Sequence, residues 1–332
     1  MTSLLNRLKH PGAALCVAAT LGITAAGTAS AQSAPDYPNR PITMVVPFGP
    51  GSVTDLLARI AANEIGSALN TSVVVQNKPG AGGNIGAGDV ARAAPDGYTL
   101  LVGPTSTNAV NPSLYKNLTF DALKDFAPIS NIAKVPNVLV VPADSPANSV
   151  SELIALGKKN QLSYASGGTG GSMHLAAELF ANMAGIDILH VPYKGGGPAL
   201  ADLLPGRVDM MFCNLPLCLP HIESGKLKAL GVTSAQPSPL LPKVKPVGDQ
   251  GLSGFEVTGW FGLFAPAKVD PAIIAKLNKA LTQSLEKETV KQQLLAQGAE
   301  PDASTPEQFN QFVKAEYEKW ADVIKKANIT VE

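Results

Sequence analysis

The pattern that most constrains this chain is a short β-branched run that breaks into a glycine-rich turn and continues as a helix. Its first instance is "VVPFGPGSVTDLLAR", Val45 to Arg59. Comparable turns follow in "KPGAGGNIGAG", "SGGTGGSMH" and "YKGGGPAL". Strands alternating with helices specify an α/β protein with a mostly parallel sheet, and in such sheets the strand-to-helix turns gather at the carboxyl ends of the strands, where ligands bind. Glycine lets backbone N–H groups approach a ligand closely, and each helix start adds partial positive charge. Several such turns facing one cleft would hold a carboxylate without a charged side chain.

Between these turns the periodicities predict a strand at "ITMVV", a helix from Val53 to Ile65, strands at "SVVVQ" and Tyr98 to Gly103, and a short helix at "NIGAGDVARAA". A second cycle runs from a strand at Asn137 to Pro142 through a helix opened by a Ser149/Glu152 capping box. It continues with strands at "LSYAS", "DILHVPY", "VDMMFC" and "LKALGVTS". The helices between them are "GSMHLAAELFANMAG" and "GPALADLLPG", the latter with Pro198 expected at its first position. Residues 234–254 read as an irregular surface excursion, and three helices close the chain. Two stretches, Ile129 to Val138 and Val257 to Phe264, read as crossings between two lobes, so the last helices return to complete the first. The expected boundaries are residues 1–31 for a leader, 36–133 with 258–332 for lobe 1, and 134–257 for lobe 2.

The leader is read from Arg7, Lys9 and His10, an apolar run from Gly12 to Gly27, and small residues at Ala29 and Ala31. This is a Sec-type signal peptide with cleavage after Ala31, and the run is too short and interrupted for a membrane anchor. Lys+Arg and Asp+Glu each total 26, and loss of Arg7 and Lys9 leaves the mature chain slightly acidic. That balance excludes a basic nucleic-acid surface. Cys16 leaves with the leader. Cys213 and Cys218 are expected as two small buried thiols in preference to a disulfide, because Pro216 lies between a strand end and a helix start.

Enzyme signatures fail one by one. No glycine turn ends as a P-loop, "GPGSVTD" lacks the third glycine of a dinucleotide fingerprint, and the G-x-S-x-G elbow is missing. Ser166 and His174 can be imagined as nucleophile and base, but no orienting Asp lies near them in sequence. His174, His190 and His221 show no ligand spacing. The expectation is therefore no catalytic residue, no metal and no cofactor. Of the arginines Arg40, Arg59, Arg92 and Arg207, none lies in a glycine turn, and Arg59 is placed to pair with Asp55 one helical turn earlier.

Taken in order, "YPNRPITMVVPFGPGSVTD", "NKPGAGGNIGA", "PDGYTLLVG", "YASGGTGGSMHLAAELF", "HVPYKGGGPALADLLPGRVDMMF" and "WFGLFAP" closely resemble the Bug (TctC-like) solute receptors of tripartite tricarboxylate transporters, from about Tyr37 to the C-terminus. The resemblance implies a class II periplasmic-binding-protein fold, two α/β lobes joined by two crossing strands that close on a small organic acid. It implies a periplasmic monomer, and as partners the membrane permease subunits of such a transporter or, alternatively, the ectodomain of a sensor kinase. It also implies a grip by backbone amides and bridging waters. The residues nominated for it are Phe48, Gly49, Pro50, Gly51, Ser52, Thr54 and Asp55 in the first loop and Asn84 in the second. Thr105, Ser106 and Asn214 follow strand ends. Ser166, Gly168, Thr169, Gly170, His174, Gly195, Gly196 and Pro198 complete the set. Ser52, Thr105, Ser106, Thr169 and Asn214 are expected to read the part of the ligand beyond its first carboxylate. Two departures stand out: Ser52 occupies a position where the family pattern P-F-x-x-G-G-x-x-D has glycine, and Cys213 and Cys218 flank "NLPL". The ligand itself, whether di- or tricarboxylate, amino acid or aromatic acid, stays open.

Overall fold

The computed structural model describes residues 37–193, 195–326 and 329; the leader lies outside them. In chain order the elements are β1 (Ile42–Val46), α1 (Val53–Leu69), β2 (Val73–Asn77), α2 (Asn84–Ala91) and β3 (Thr99–Pro104). A π-helical turn (Ser106–Val110) runs into α3 (Asn111–Leu114), followed by β4 (Phe126–Pro142), α4 (Val150–Gly157), β5 (Leu162–Ser166) and α5 (Ser172–Ala184). Then come β6 (Ile188–Pro192), α6 (Gly196–Leu203), β7 (Met210–Asn214), α7 (Leu215–Glu223) and β8 (Leu227–Val232). The chain ends with β9 (Thr258–Pro266), α8 (Pro271–Leu285), α9 (Glu288–Ala296), β10 (Glu300–Pro301) and α10 (Pro306–Lys326).

Two parallel triplets, β2-β1-β3 and β6-β5-β7, are the cores of the two lobes. They are joined through β4 and β9, the long strands between them. From Phe126 to Pro136 β4 pairs antiparallel with β9, which pairs in turn with β3. From Asn137 onward β4 pairs instead with β7 and β8. The crossing and the strand expected at Asn137 to Pro142 are thus one strand of 17 residues. Ser130, Asn131 and Asn137 do not break it, and its internal prolines fall where the ladder can spare a donor: Pro128 at a register shift and Pro136 at the last pair with β9.

Three apolar clusters flank this curled sheet. One packs α1, α8 and α9 on β1, β3 and the first half of β4, through Leu57, Ile65, Leu263, Ile273 and Leu281. A second packs α6 and α7 on the outer face of lobe 2, and includes Cys213 and Cys218 as buried free thiols. The third is continuous between the lobes, from Val110 and Phe264 through Trp260, Val257 and Phe255 to Phe180 and Phe212.

Helix starts follow their local chemistry. Thr305 and Gln308 form a reciprocal capping box at α10, each side chain bonding the other's backbone N–H at 3.2 and 3.0 Å. At α4, Ser149 accepts from the Glu152 N–H at 3.2 Å, while Glu152 accepts from Asn148 at 2.7 Å. Pro198 is not the first residue of α6 but its third, because Gly196 and Gly197 already take helical conformation. Its missing N–H is still one of those a helix start leaves unbonded.

Candidate functional site

The first glycine turn is held from beneath by Asp55. Its side chain is 3% exposed and sits in the first turn of α1. The carboxylate accepts from the Gly51 N–H at 2.9 Å, from Arg59 Nε and Nη2 at 3.1 and 3.0 Å, and from Asn77 Nδ2 at 2.9 Å. Asn77 donates its other hydrogen to the Phe48 carbonyl at 2.9 Å, tying β2 to the same loop. Burial alone would push the Asp55 carboxyl up, but the bonds from Arg59, Gly51 and Asn77 together hold it below the ordinary range. Ser52 is the N-cap of α1, and its hydroxyl accepts from the Asp55 N–H at 3.2 Å. The serine that replaces glycine therefore spends its oxygen on the helix.

Lobe 2 presents three helix starts. At α5, α6 and α7 the N-cap residues are Gly171, Gly195 and Asn214, and none donates a side-chain cap. Away from the cleft, α4, α8 and α10 are capped by Ser149, Asp270 and Thr305, while α9 begins at Lys287 without a side-chain cap. The first-turn N–H groups of a helix have no carbonyl within the helix to bond, so the uncapped starts leave polarised donors for something else. Asn214 holds the N-cap position, yet its amide donates instead to Asn137 Oδ1 at 2.7 Å. The turns themselves need glycine: Gly168, Gly170 and Gly195 have φ of 129°, 82° and 118°, and a Cβ at Gly167 would lie 3.0 Å from the Gly196 nitrogen.

These parts enclose a cavity of about 290 Å³ between the lobes. Phe48, Ser52, Val53, Thr54, Pro104, Thr105 and Ser106 line it from lobe 1, and Gly167, Gly168, Gly171, Ser172, Met173, Gly196 and Asn214 from lobe 2. Gly259 and Phe261 reach it from β9. Sequence reasoning missed Val53, Pro104, Gly167, Gly171, Ser172, Met173 and the β9 pair; the "SGGTGG" turn and the "WFGLFAP" motif were the available signals for Gly167, Gly171 and Phe261. Among the described residues the arginines Arg40, Arg59, Arg92 and Arg207 lie elsewhere, each in an ion pair with an aspartate, at Asp96, Asp55, Asp89 and Asp202.

Several nominated residues stand behind the lining instead of in it. Gly49, Pro50 and Gly51 form the outer edge of the first loop, with the Gly51 N–H already given to Asp55. Asn84 is buried against Asn111, which donates to it at 2.7 Å and to the Gly82 carbonyl at 2.9 Å. Thr169 is exposed at the tip of its turn, while Gly170, Gly195 and Pro198 shape the loops from behind. Thr105 lines the cavity, but its hydroxyl is bonded to the Trp260 N–H and carbonyl at 2.8 and 3.2 Å, so it braces β9.

Ser166 and His174 do not pair. Ser166, fully buried, lies 2.6 Å from His190 Nε2, and His174 Nδ1 accepts from the Gly170 N–H at 3.2 Å. The imagined nucleophile thus has a different histidine and no exposure. Among the described residues no group of three or more His, Cys, Asp or Glu side chains is placed to hold a metal ion.

Two α/β lobes joined by long strands, with uncapped helix starts and glycine turns around the cleft between them, define a solute-binding receptor architecture. The sequence places the chain within it: residues 57–329 match the model of the tripartite tricarboxylate transporter family receptor, and the chain belongs to that family. It is 40% identical to Protein BugT of Bordetella pertussis over 92% of this chain and 94% of that protein. Among solved structures it is similar to the periplasmic binding protein BugD, at 38% identity and a TM-score of 0.76, covering 89% of this chain and 100% of that one. It is also similar to an R. palustris protein solved with adipate, at 36% identity and a TM-score of 0.80 with the same coverages.

Proposed function

We propose that this chain is a periplasmic receptor, not an enzyme, that binds a small organic carboxylate by closure of its two lobes and delivers it to a tripartite transporter. The observation that carries the reading is the set of uncapped helix starts, α5, α6 and α7, opposite the start of α1 across one cavity. Their free N–H groups and aligned dipoles suit an anion. The adipate in the R. palustris neighbour supports a carboxylate as that anion. Residues 36–133 with 258–332 would move as one lobe and 134–257 as the other, flexing at β4 and β9. Ligand contacts to both lobes then favour the closed state. Export by the leader, with cleavage after Ala31, and a monomeric state belong to the same reading.

The test is a thermal-shift screen of the mature protein against a panel of organic acids. An acid present at about 100 times its dissociation constant adds about 2.7 kcal/mol of stability. Shifts from carboxylates that vanish with Gly167→Val, which wedges the two lobe 2 loops apart, support the reading. Shifts only from sugars, peptides or metal ions refute it.

A further inference from the structure

Beneath the "SGGTGG" turn lies a polar cluster that takes no part in lining the cavity. The rings of His174 and His190 stack at 4.2 Å between centroids, and Tyr164 lies nearly parallel to both, 4.7 Å from His190 and 6.3 Å from His174. The parallel register of β5 and β6 sets Tyr164 opposite His190, and α5 lowers His174 onto the pair. Glu178, one turn further along α5, accepts from the Tyr164 hydroxyl at 2.5 Å and stands 3.9 Å from His174 Nε2.

Both histidines end on the ligand loop. Nδ1 of His174 accepts from the Gly170 N–H at 3.2 Å, which fixes the ring as a neutral tautomer with its proton on Nε2. Nε2 of His190 meets the Ser166 hydroxyl at 2.6 Å, and that same oxygen accepts from the Gly168 N–H at 3.2 Å. Gly168 and Gly170 are the two residues of the turn with positive φ. Glycine at such dihedrals has many alternatives, and here the N–H groups of both residues are held by side chains, with the Gly168 carbonyl also 3.2 Å from the Ser166 hydroxyl.

We propose that His174 and His190 are positioning residues of the lobe 2 ligand loop: His174 holds the Gly170 amide directly, His190 holds the Gly168 amide through Ser166, and together they aim the start of α5 into the cleft. The proposal deepens the receptor reading and rests on it for the loop's purpose. It accounts for a buried histidine, a half-buried one and a buried serine that no chemistry in the cleft uses. It also gives the stack a role: Tyr164 against His190, and His190 against His174, hold the rings in the plane their hydrogen-bond partners need.

The test is hydrogen exchange resolved to the 166–171 segment, with adipate affinity by calorimetry as a second readout. In His174→Phe, which keeps the stack and removes the acceptor, the Gly170 amide should exchange at least tenfold faster. His174→Asn, whose Oδ1 takes the place of Nδ1, should return exchange to within about threefold of wild type. Ser166→Ala should free Gly168 and leave Gly170 slow. Peptides from α10 should be unchanged in all three, which separates a loop effect from general unfolding. Where wild type binds adipate, affinity should fall tenfold in His174→Phe and recover in His174→Asn. Wild-type exchange in His174→Phe, or equal losses in the Phe and Asn variants, would overturn the proposal. Exchange reads the positioning and the acid screen reads the receptor, so each can fail without the other.

Discussion

Glu316 should be among the most costly residues to remove, although it touches no ligand. It sits on α10 with 9% of its surface exposed. Its carboxylate accepts from the indole N–H of Trp260 at 3.1 Å and of Trp320 at 3.0 Å, with Lys319 Nζ at 3.2 Å. Both tryptophans are about 1% exposed or less, so neither indole can turn to water. Glu316→Ala strands two buried donors at about 1–3 kcal/mol each, and Lys319 retains the Glu256 carbonyl at 2.9 Å. The expected loss is about 4 kcal/mol. For a chain of this size that lowers Tm by about 6 °C. Glu316→Gln keeps an acceptor oxygen and should lose about half as much. Urea unfolding followed by tryptophan fluorescence measures both, since Trp260 and Trp320 are the only tryptophans in the chain. An alanine variant within about 1 kcal/mol of wild type would mean the indoles find other acceptors, and the account of this junction would be wrong.

Other expectations follow from the same geometry. Burial and, next, His190 push His174 down to about 3, and burial pushes His190 down to about 4, against about 6.5 for a free histidine. Below pH 6.5 the unfolded chain therefore takes up protons that the folded chain refuses. Stability should fall between about pH 6.5 and 4 by up to about 1.4 kcal/mol per pH unit for His174 and less for the more exposed His190; equal urea midpoints at pH 7 and pH 5 would refute this. Asp55→Asn should cost about 2 kcal/mol, by weakening the Arg59 and Gly51 bonds, and should loosen the first loop as read by exchange at Gly51. Gly262→Ala should destabilise by about 3 kcal/mol or more in thermal unfolding, because a Cβ there overlaps the Phe309 ring.

Much of this was legible because the relevant signals are local. The helix from Val53, the Ser149 box and the Asp55–Arg59 pair each depend on residues within four positions. Glycine placement likewise marked the turns, since only backbone conformation was at issue. What was not legible depends on register and on distant partners. Sequence proximity offers only His174 as a partner for Ser166, but parallel pairing of β5 with β6 brings His190 instead. Thr105 looked free to read a ligand because its partner, Trp260, is 155 residues away. Asn214 is expected from its strand-end position to face the cleft, but its bond to Asn137 follows only from the β4–β7 register.

The order in which strands enter the sheet also bears on how the chain acquires its structure. The second half of β4, from Asn137, can pair with β7 and β8, and β5 with β6 and β7, all within one continuous segment. The first lobe cannot, since β3 presents Leu100, Leu101 and Val102 on a strand whose antiparallel neighbour, β9, begins at Thr258. A chain emerging from its N-terminus must hold that apolar edge unpaired while more than half its length is still to come. Contacts this distant in sequence are slow to form and leave strands open to wrong partners. Assembly should therefore finish the middle of the chain first, with the closing of β9 onto β3 and the docking of α10 as the late, rate-limiting event.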